Sequence, residues 1–308
     1  MGSGFLDEVL VRILISGASG LIGRALTERL RAAGDNVQLL VRREPKEPTS
    51  EIGWDPEAGV LDSSRLDGVE AVVHLAGRPI SSRWTEETKA AIRGSRVRGT
   101  KLLAEVVAQL PKRPKVFLSA SAIGFYGPCG DEPLDETSAQ GTGFLADVCR
   151  EWEEAAAPAR DAGIRTIHLR TGLVLSRAGG MLAQVLLPFK MGAGGVVGTG
   201  RQWLSWISLD DATAAVQHTI AAVELSGPVN LTAPQPVPNV EFVHTLGKLL
   251  GRPTLVPLPA FAVKMLLGQM GDELLLAGQK VLPRKLLASG FQFAYPDLDS
   301  ALRWALAH

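Results

Sequence analysis

The stretch Leu14-Ile15-Ser16-Gly17-Ala18-Ser19-Gly20-Leu21-Ile22-Gly23 constrains the fold more than any other. Val11 to Ile15 reads as a buried strand. Leu21, Ile22, Ala25, Leu26, Leu30 and Ala33 then recur at helical spacing, and Gly34 stands where a helix C-terminus favours glycine. A strand, a glycine turn and a helix in succession form a cradle for phosphate. Gly17 permits the tight turn, Gly20 lets a pyrophosphate approach the backbone, and Gly23 lets the helix pack close to the sheet. The helix N-terminus adds unpaired N–H groups and a partial positive charge. Ser19, Leu21 and Ile22 line the same turn. The pattern predicts an α/β fold, a doubly wound parallel sheet, with a dinucleotide at this turn.

The next apolar run, Val37 to Val41, ends in Arg42-Arg43. A site that prefers NAD carries Asp or Glu about 20 residues past the glycines, to hold a ribose 2′-hydroxyl. Arginine there accommodates a 2′-phosphate instead. The fork of guanidinium donors matches phosphate oxygens. Val41, Arg42 and Arg43 are therefore the candidates that select NADP over NAD, against the plainer reading of two solvated arginines at a strand end.

Composition excludes several classes. Basic and acidic residues balance at 32 each, so nothing in the charge points to nucleic acid or a membrane surface. The only cysteines, Cys129 and Cys149, have no metal-type spacing and form no disulfide framework, which fits a reducing cytoplasm. Met1 to Glu8 lacks the basic and apolar regions of a secretory signal. No apolar run reaches the ~20 residues of a membrane span. The expected partner is a small molecule.

Further along, Ile52-Gly53-Trp54 reads as a short strand and Ala71 to Gly77 as a buried one. The small residues Leu75-Ala76-Gly77 at its end leave room for a nucleoside, since ligands of doubly wound sheets lie outside the carboxyl ends of the strands. His74, inside the apolar run, reads as a core histidine. Thr85-Glu86-Glu87 caps a long helix that ends at Pro111, and of its arginines Arg96 is the candidate to reach a cofactor phosphate. Lys115 to Ser121 and Ile164 to Leu169 are further strands, and Val229 to Leu231 is the last. Pro234, Pro236 and Pro238 mark a boundary, after which Val240 to Leu250 and Phe261 to Leu267 are helical. The division predicted is a Rossmann-type nucleotide domain, 1–172 plus 203–232, and a smaller, mostly helical substrate lobe, 173–202 plus 233–308. Clefts between lobes are the default ligand site.

Three segments together carry a family resemblance: Gly17 to Gly23, His74-Leu75-Ala76-Gly77, and Ser119-Ala120-Ser121 followed by Phe125-Tyr126-Gly127. The chain resembles the extended short-chain dehydrogenases/reductases. It is most similar to an atypical branch labelled nucleoside-diphosphate-sugar epimerase-like, which carries a C-terminal module of unassigned role. Arg83-Trp84-Thr85, Ser95-Arg96, Trp152-Glu153, Gln202-Trp203 and Gly278 to Pro283 extend the likeness across the chain.

The resemblance implies a serine, a tyrosine, and a lysine four residues after that tyrosine. The tyrosine exchanges a proton with the substrate oxygen while the nicotinamide exchanges a hydride. The lysine lowers the cost of ionising a phenol whose ordinary pKa is about 10, and also holds the ribose. This sequence departs from that pattern. Its only tyrosines, Tyr126 and Tyr295, are followed four residues later by Gly130 and Asp299. In the helix where the pair belongs, Phe144 or Leu145 stands for the tyrosine, and Val148 or Cys149 for the lysine. Cys149 reads as a buried inert thiol, with no lysine or histidine neighbour in sequence to activate it. Ser119, Ser121 and Tyr126 remain as candidate catalytic groups, with Tyr126 the proton donor or a wall of the pocket. Asp147 and Glu136 have weaker claims. Two functions follow: an NADP-dependent epimerase-like oxidoreductase, or a noncatalytic NADP(H) sensor.

Overall fold

Eight strands form one central sheet in a computed structural model that describes residues 11–308. In chain order they are β1 (Arg12–Ser16), β2 (Asn36–Val41), β3 (Glu51–Asp55), β4 (Val60–Leu61), β5 (Ala71–His74), β6 (Val116–Ala122), β7 (Arg165–Thr171) and β8 (Gly227–Leu231). Their order across the sheet is β8-β7-β6-β5-β1-β2-β3-β4. Every pairing is parallel except the hairpin of β3 with β4. The chain builds outward from β1 to one edge, then crosses to β5 and builds to the other. The crevice at the carboxyl ends of β1 and β5 is thus the topological switch point, where ligands of such sheets lie.

Alternation along the strands sends apolar side chains to both faces. Ile13 and Ile15 pack with Val73, Leu118 and Ile167 under Leu26 and Leu30 of α1 (Leu21–Ala32) and Ala212, Ala215 and Val216 of α6 (Leu209–Ala221). Leu14, Val72 and Phe117 face the other way, under Leu103, Ala104 and Val107 of α2 (Glu86–Gln109). Each such leucine or phenylalanine contributes about 1.5–3 kcal/mol on burial. The side chain of Thr85 caps α2 by accepting the N–H of Thr88 at 3.1 Å, and Glu86 and Glu87 favour its positive end. The helix stops at Leu110, whose ψ of 139° is the extended conformation that a following proline enforces. Helices α3 (Phe144–Glu154) and α4 (Ala157–Asp161) complete this face.

A third core joins Leu182, Leu186 and Phe189 of α5 (Gly180–Lys190) to Phe242, Val243 and Leu246 of α7 (Asn239–Leu250) and to Leu298, Ala301 and Leu302 of α11 (Leu298–Ala307). Between α7 and α11 run α8 (Ala260–Leu267), α9 (Gln269–Gly271), a π-helical turn over Asp272–Leu276 and α10 (Arg284–Ala288). Trp206, 0% exposed, also belongs to this core, so the 203–208 segment serves both layers. Helix α5 escapes a sequence reading because Gly179, Gly180 and Pro188 all look like loop residues. The Met1–Glu8 segment lies outside the described residues. Among those described, no helix is long and apolar enough to cross a membrane.

Candidate functional site

Gly17 leaves β1 with φ of 74°, a left-handed conformation that favours glycine, and a Cβ there would lie 2.7 Å from the backbone carbon of Leu75. A Cβ on Gly23 would run into the Gly17 carbonyl oxygen. These two glycines are required by the fold itself. Gly20 is different. Its N–H donates to the Gly17 carbonyl at 3.0 Å, and a Cβ would meet nothing nearer than that oxygen at 3.3 Å. No side chain caps the first turn of α1. The space above Gly20 is therefore open to an anion that takes the free N–H groups. Ser19 is exposed there, with Leu21 and Ile22 half-buried beside it. Leu21 also packs against the 179–180 turn, where a Cβ on Gly179 would lie 3.5 Å from its Cδ1.

The structure divides the arginine pair. Arg43 holds Glu51 with both terminal nitrogens, Nη1 to Oε2 at 2.9 Å and Nη2 to Oε1 at 2.5 Å. That pairing, with the N–H of Lys46, pulls the Glu51 carboxyl down to about 2. Arg42, exposed after the half-buried Val41, has no ion pair or hydrogen bond among the described residues. Arg42 thus keeps a free guanidinium at the end of β2 among the described residues, whereas Arg43 fixes the end of β2 to β3. On the other side of the turn, Leu75 donates its N–H to the Ser16 carbonyl at 3.1 Å, which sets Leu75, Ala76 and Gly77 along the crevice. His74 is fully buried, its Nδ1 2.6 Å from the Ser16 hydroxyl. Burial pushes the His74 imidazole down to about 4.

At the far end of the crevice the expected catalytic hydroxyls turn inward. Ser119 is 0% exposed, and its hydroxyl points back at the Ala120 carbonyl, 3.3 Å away. The Ser121 hydroxyl donates to Glu153 Oε1 at 2.7 Å. The Tyr126 hydroxyl donates to Asn230 Oδ1 at 2.7 Å and accepts from Arg170 Nη1 at 3.1 Å. Burial raises the Tyr126 pKa, against the lowering pull of Arg170. The cause is local: a single helical turn, Ile123–Tyr126, follows β6 and rolls the ring into the sheet layer. Tyr126 and Ser121 thus belong to a buried polar network, and Ser119 is buried against the Ala120 carbonyl, so in this structure none of the three hydroxyls faces the crevice.

That network escaped the sequence reading. Glu153 and Arg170 form a two-point ion pair, 2.8 and 2.9 Å, with Arg170 lying 3.5 Å over the Phe125 ring centre. Ser121, Arg170 and Asn230 stand side by side on β6, β7 and β8. Glu136 continues the line, its Oε1 accepting the N–H groups of Asn230 and Lys285 at 3.1 and 3.2 Å. The only sequence signal was a charged residue, Arg170, ending an apolar strand.

On α3, Leu145 packs against Gly124, and Cys149 is buried, its thiol pushed up to about 11 by burial and by Glu153. Neither exchanges protons at neutral pH. Glu273, from the turn after α9, reaches the N-terminus of this helix and accepts the N–H groups of Phe144 and Leu145 at 3.2 and 3.0 Å. Lys89 reaches Gln269 at 3.2 Å beside it. The C-terminal lobe is thereby fastened over the end of the crevice where the tyrosine would stand. Asp147 lies on the same helix, 3.5 Å from Gln140.

Comparison with known proteins agrees with this architecture. The model of the NAD dependent epimerase/dehydratase family matches residues 13–231, and a domain of unknown function, DUF1731, matches residues 258–305. The chain belongs to the epimerase/dehydratase family. An epimerase family protein of Mycobacterium bovis is 45% identical over 294 residues, covering 95% of this chain and 97% of its own. The human epimerase family protein SDR39U1 is 36% identical over 301 residues, covering 96% and 100%. A crystal structure of the human protein with NADPH superposes with a TM-score of 0.88 at 35% identity, covering 96% of this chain and 99% of that one. A nucleoside-diphosphate sugar epimerase from Corynebacterium glutamicum gives a TM-score of 0.81 at 40% identity, over 96% of this chain and 58% of that one.

Proposed function

We propose that this chain binds NADP(H) across the glycine turn and acts as an epimerase-like oxidoreductase on a small molecule held under the C-terminal lobe. The observation that carries the reading is the pairing of an open backbone cradle at Gly20 with an unpaired arginine, Arg42, at the end of β2. The cradle takes the pyrophosphate and Arg42 the 2′-phosphate. The NADPH bound by the human SDR39U1 structure supports the choice of cofactor. A bound nicotinamide supplies hydride exchange. This chain's own residues bind the cofactor, position it against β5, and exclude water through the cover that Glu273 fastens over α3.

A second reading, a noncatalytic NADP(H) sensor, is favoured by the inward turn of Ser119, Ser121 and Tyr126 and by Leu145 and Cys149 on α3. One measurement tests the cofactor that both readings share, and a second separates the readings. In thermal-shift experiments NADPH stabilises the protein more than NADH; at 100-fold above its dissociation constant a single-site ligand adds about 2.7 kcal/mol. In absorbance assays with NADPH and a panel of carbonyl compounds, turnover identifies the enzyme. NADPH binding with no oxidation of it by any member supports the sensor.

A further inference from the structure

The reaction end of the crevice has lost its lysine, yet a cation reaches it from another helix. Arg96 lies on α2, and a Cβ built on Gly77 would sit 3.4 Å from its guanidinium carbon. Its Nη1 donates to the carbonyls of Arg78 and Ile92 at 3.0 and 3.1 Å. Its Nε and Nη2 have no acceptor among the described residues. The guanidinium carbon lies 4.9 Å from the centre of the Trp152 ring, within cation–π range. The arginines on either side of it are occupied: Arg93 pairs with Glu151 at 3.4 Å and Arg98 with Glu57 at 3.7 Å. Arg96 has no carboxylate partner among the described residues. Burial lowers its pKa, and its electrostatic neighbour is Cys149, on the helix where the lysine is missing.

The position relative to the cradle decides what this cation meets. With a pyrophosphate at Gly20 and an adenosine running toward Arg42 on β2, the second nucleoside leaves in the opposite direction, over β5 and Gly77 toward β6. On the reading that NADP(H) occupies this crevice, we propose that Arg96 binds the nicotinamide-side ribose, its free Nε and Nη2 donating to the ribose oxygens, and supplies from α2 the fixed positive charge that a lysine on α3 would otherwise provide. A forked donor anchored by two backbone carbonyls suits a diol better than a flexible ammonium does.

The experiment compares two ligands by calorimetry on Arg96→Gln and Arg96→Lys. One is NADPH. The other is 2′-phosphoadenosine 5′-diphosphate, which keeps every phosphate of the adenosine half and lacks the second ribose. Arg96→Gln is expected to weaken NADPH at least tenfold and to leave the diphosphate within about twofold. Arg96→Lys is expected to fall between wild type and Arg96→Gln on NADPH alone. A merely structural role would lower both affinities together. Equal losses for the two ligands, or no loss for either, overturn the proposal. Failure of wild type to bind either ligand would instead defeat the underlying reading of the crevice.

Discussion

The two ends of the crevice are made of opposite materials. At the end proposed for the adenosine the groups are mostly backbone: a left-handed Gly17, Gly20 and the uncapped first turn of α1, with Arg42 the side chain proposed to join them. At the nicotinamide end recognition and chemistry depend on side chains, and there Leu145 and Cys149 are apolar while the nearest hydroxyls are engaged elsewhere. A cradle built from absent Cβ atoms is required by the packing of β1, α1 and β5, so it persists with the fold. A reaction centre built from a few side chains can change without disturbing that packing. Cofactor binding and the choice of chemistry are thus separable in this molecule.

The inward-turned groups should behave as parts of the fold. The largest expected effect is at Arg170: its replacement by methionine leaves the largely buried Glu153 carboxylate with the Ser121 hydroxyl but no cation, and should cost about 3 kcal/mol in urea unfolding. NADPH affinity of the protein that remains folded should be unchanged. An affinity loss matching the loss of stability would break the separation.

His74 gives a comparable effect without mutation. Its folded pKa of about 4 lies below the ordinary 6.5. The unfolded chain therefore takes up the proton first as pH falls. Stability from this group is complete above pH ~6.5 and is lost between there and about 4, by ~3 kcal/mol in total. Urea midpoints for wild type should drop across that window more steeply than for His74→Gln. Parallel slopes would remove His74 from the account.

Tyr126→Phe should cost about 1–3 kcal/mol, because Asn230 Oδ1 and Arg170 Nη1 each lose a buried partner. Any turnover that wild type shows should survive at fixed temperature. Loss of turnover with full stability would return Tyr126 to the role of proton donor.

Gly20→Ala should have the smallest effect on stability, about 0.5–1 kcal/mol, since its Cβ would meet only the Gly17 carbonyl oxygen, at a tight 3.3 Å. On the proposed binding mode the same methyl intrudes on the pyrophosphate, so NADPH binding should weaken at least tenfold. The adjacent contrast is Gly23→Ala, whose Cβ collides with the Gly17 carbonyl and should destabilise the fold itself.

The sequence made the cradle legible because it is a backbone constraint: few residues satisfy a turn such as Gly17–Gly23, and they are adjacent in the chain. The cap at Thr85 was legible for the same local reason, its side chain accepting the N–H three residues on. The polar network was not. Glu153 and Arg170 are 17 residues apart and Tyr126 and Asn230 are 104 apart, so only the register of β6, β7 and β8 brings them together. Tyr126 looked like a proton donor because it follows a strand end. The helical turn that rolls it inward has no strong sequence mark. The division of Arg42 from Arg43 was likewise hidden, since Glu51 lies on the next strand and its pairing with Arg43 depends on how β2 and β3 align. Glu273 meets Leu145 from 128 residues away, a contact that belongs wholly to tertiary structure.

The most direct measurement is calorimetric binding of NADPH and NADH to wild type and to Arg42→Ala. Wild type should prefer NADPH at least tenfold, a difference of about 1.4 kcal/mol. Arg42→Ala should erase that preference by weakening NADPH while leaving NADH unchanged. NADH binding as tightly as NADPH to wild type, or a preference that survives the loss of Arg42, would contradict the assignment of the adenosine end.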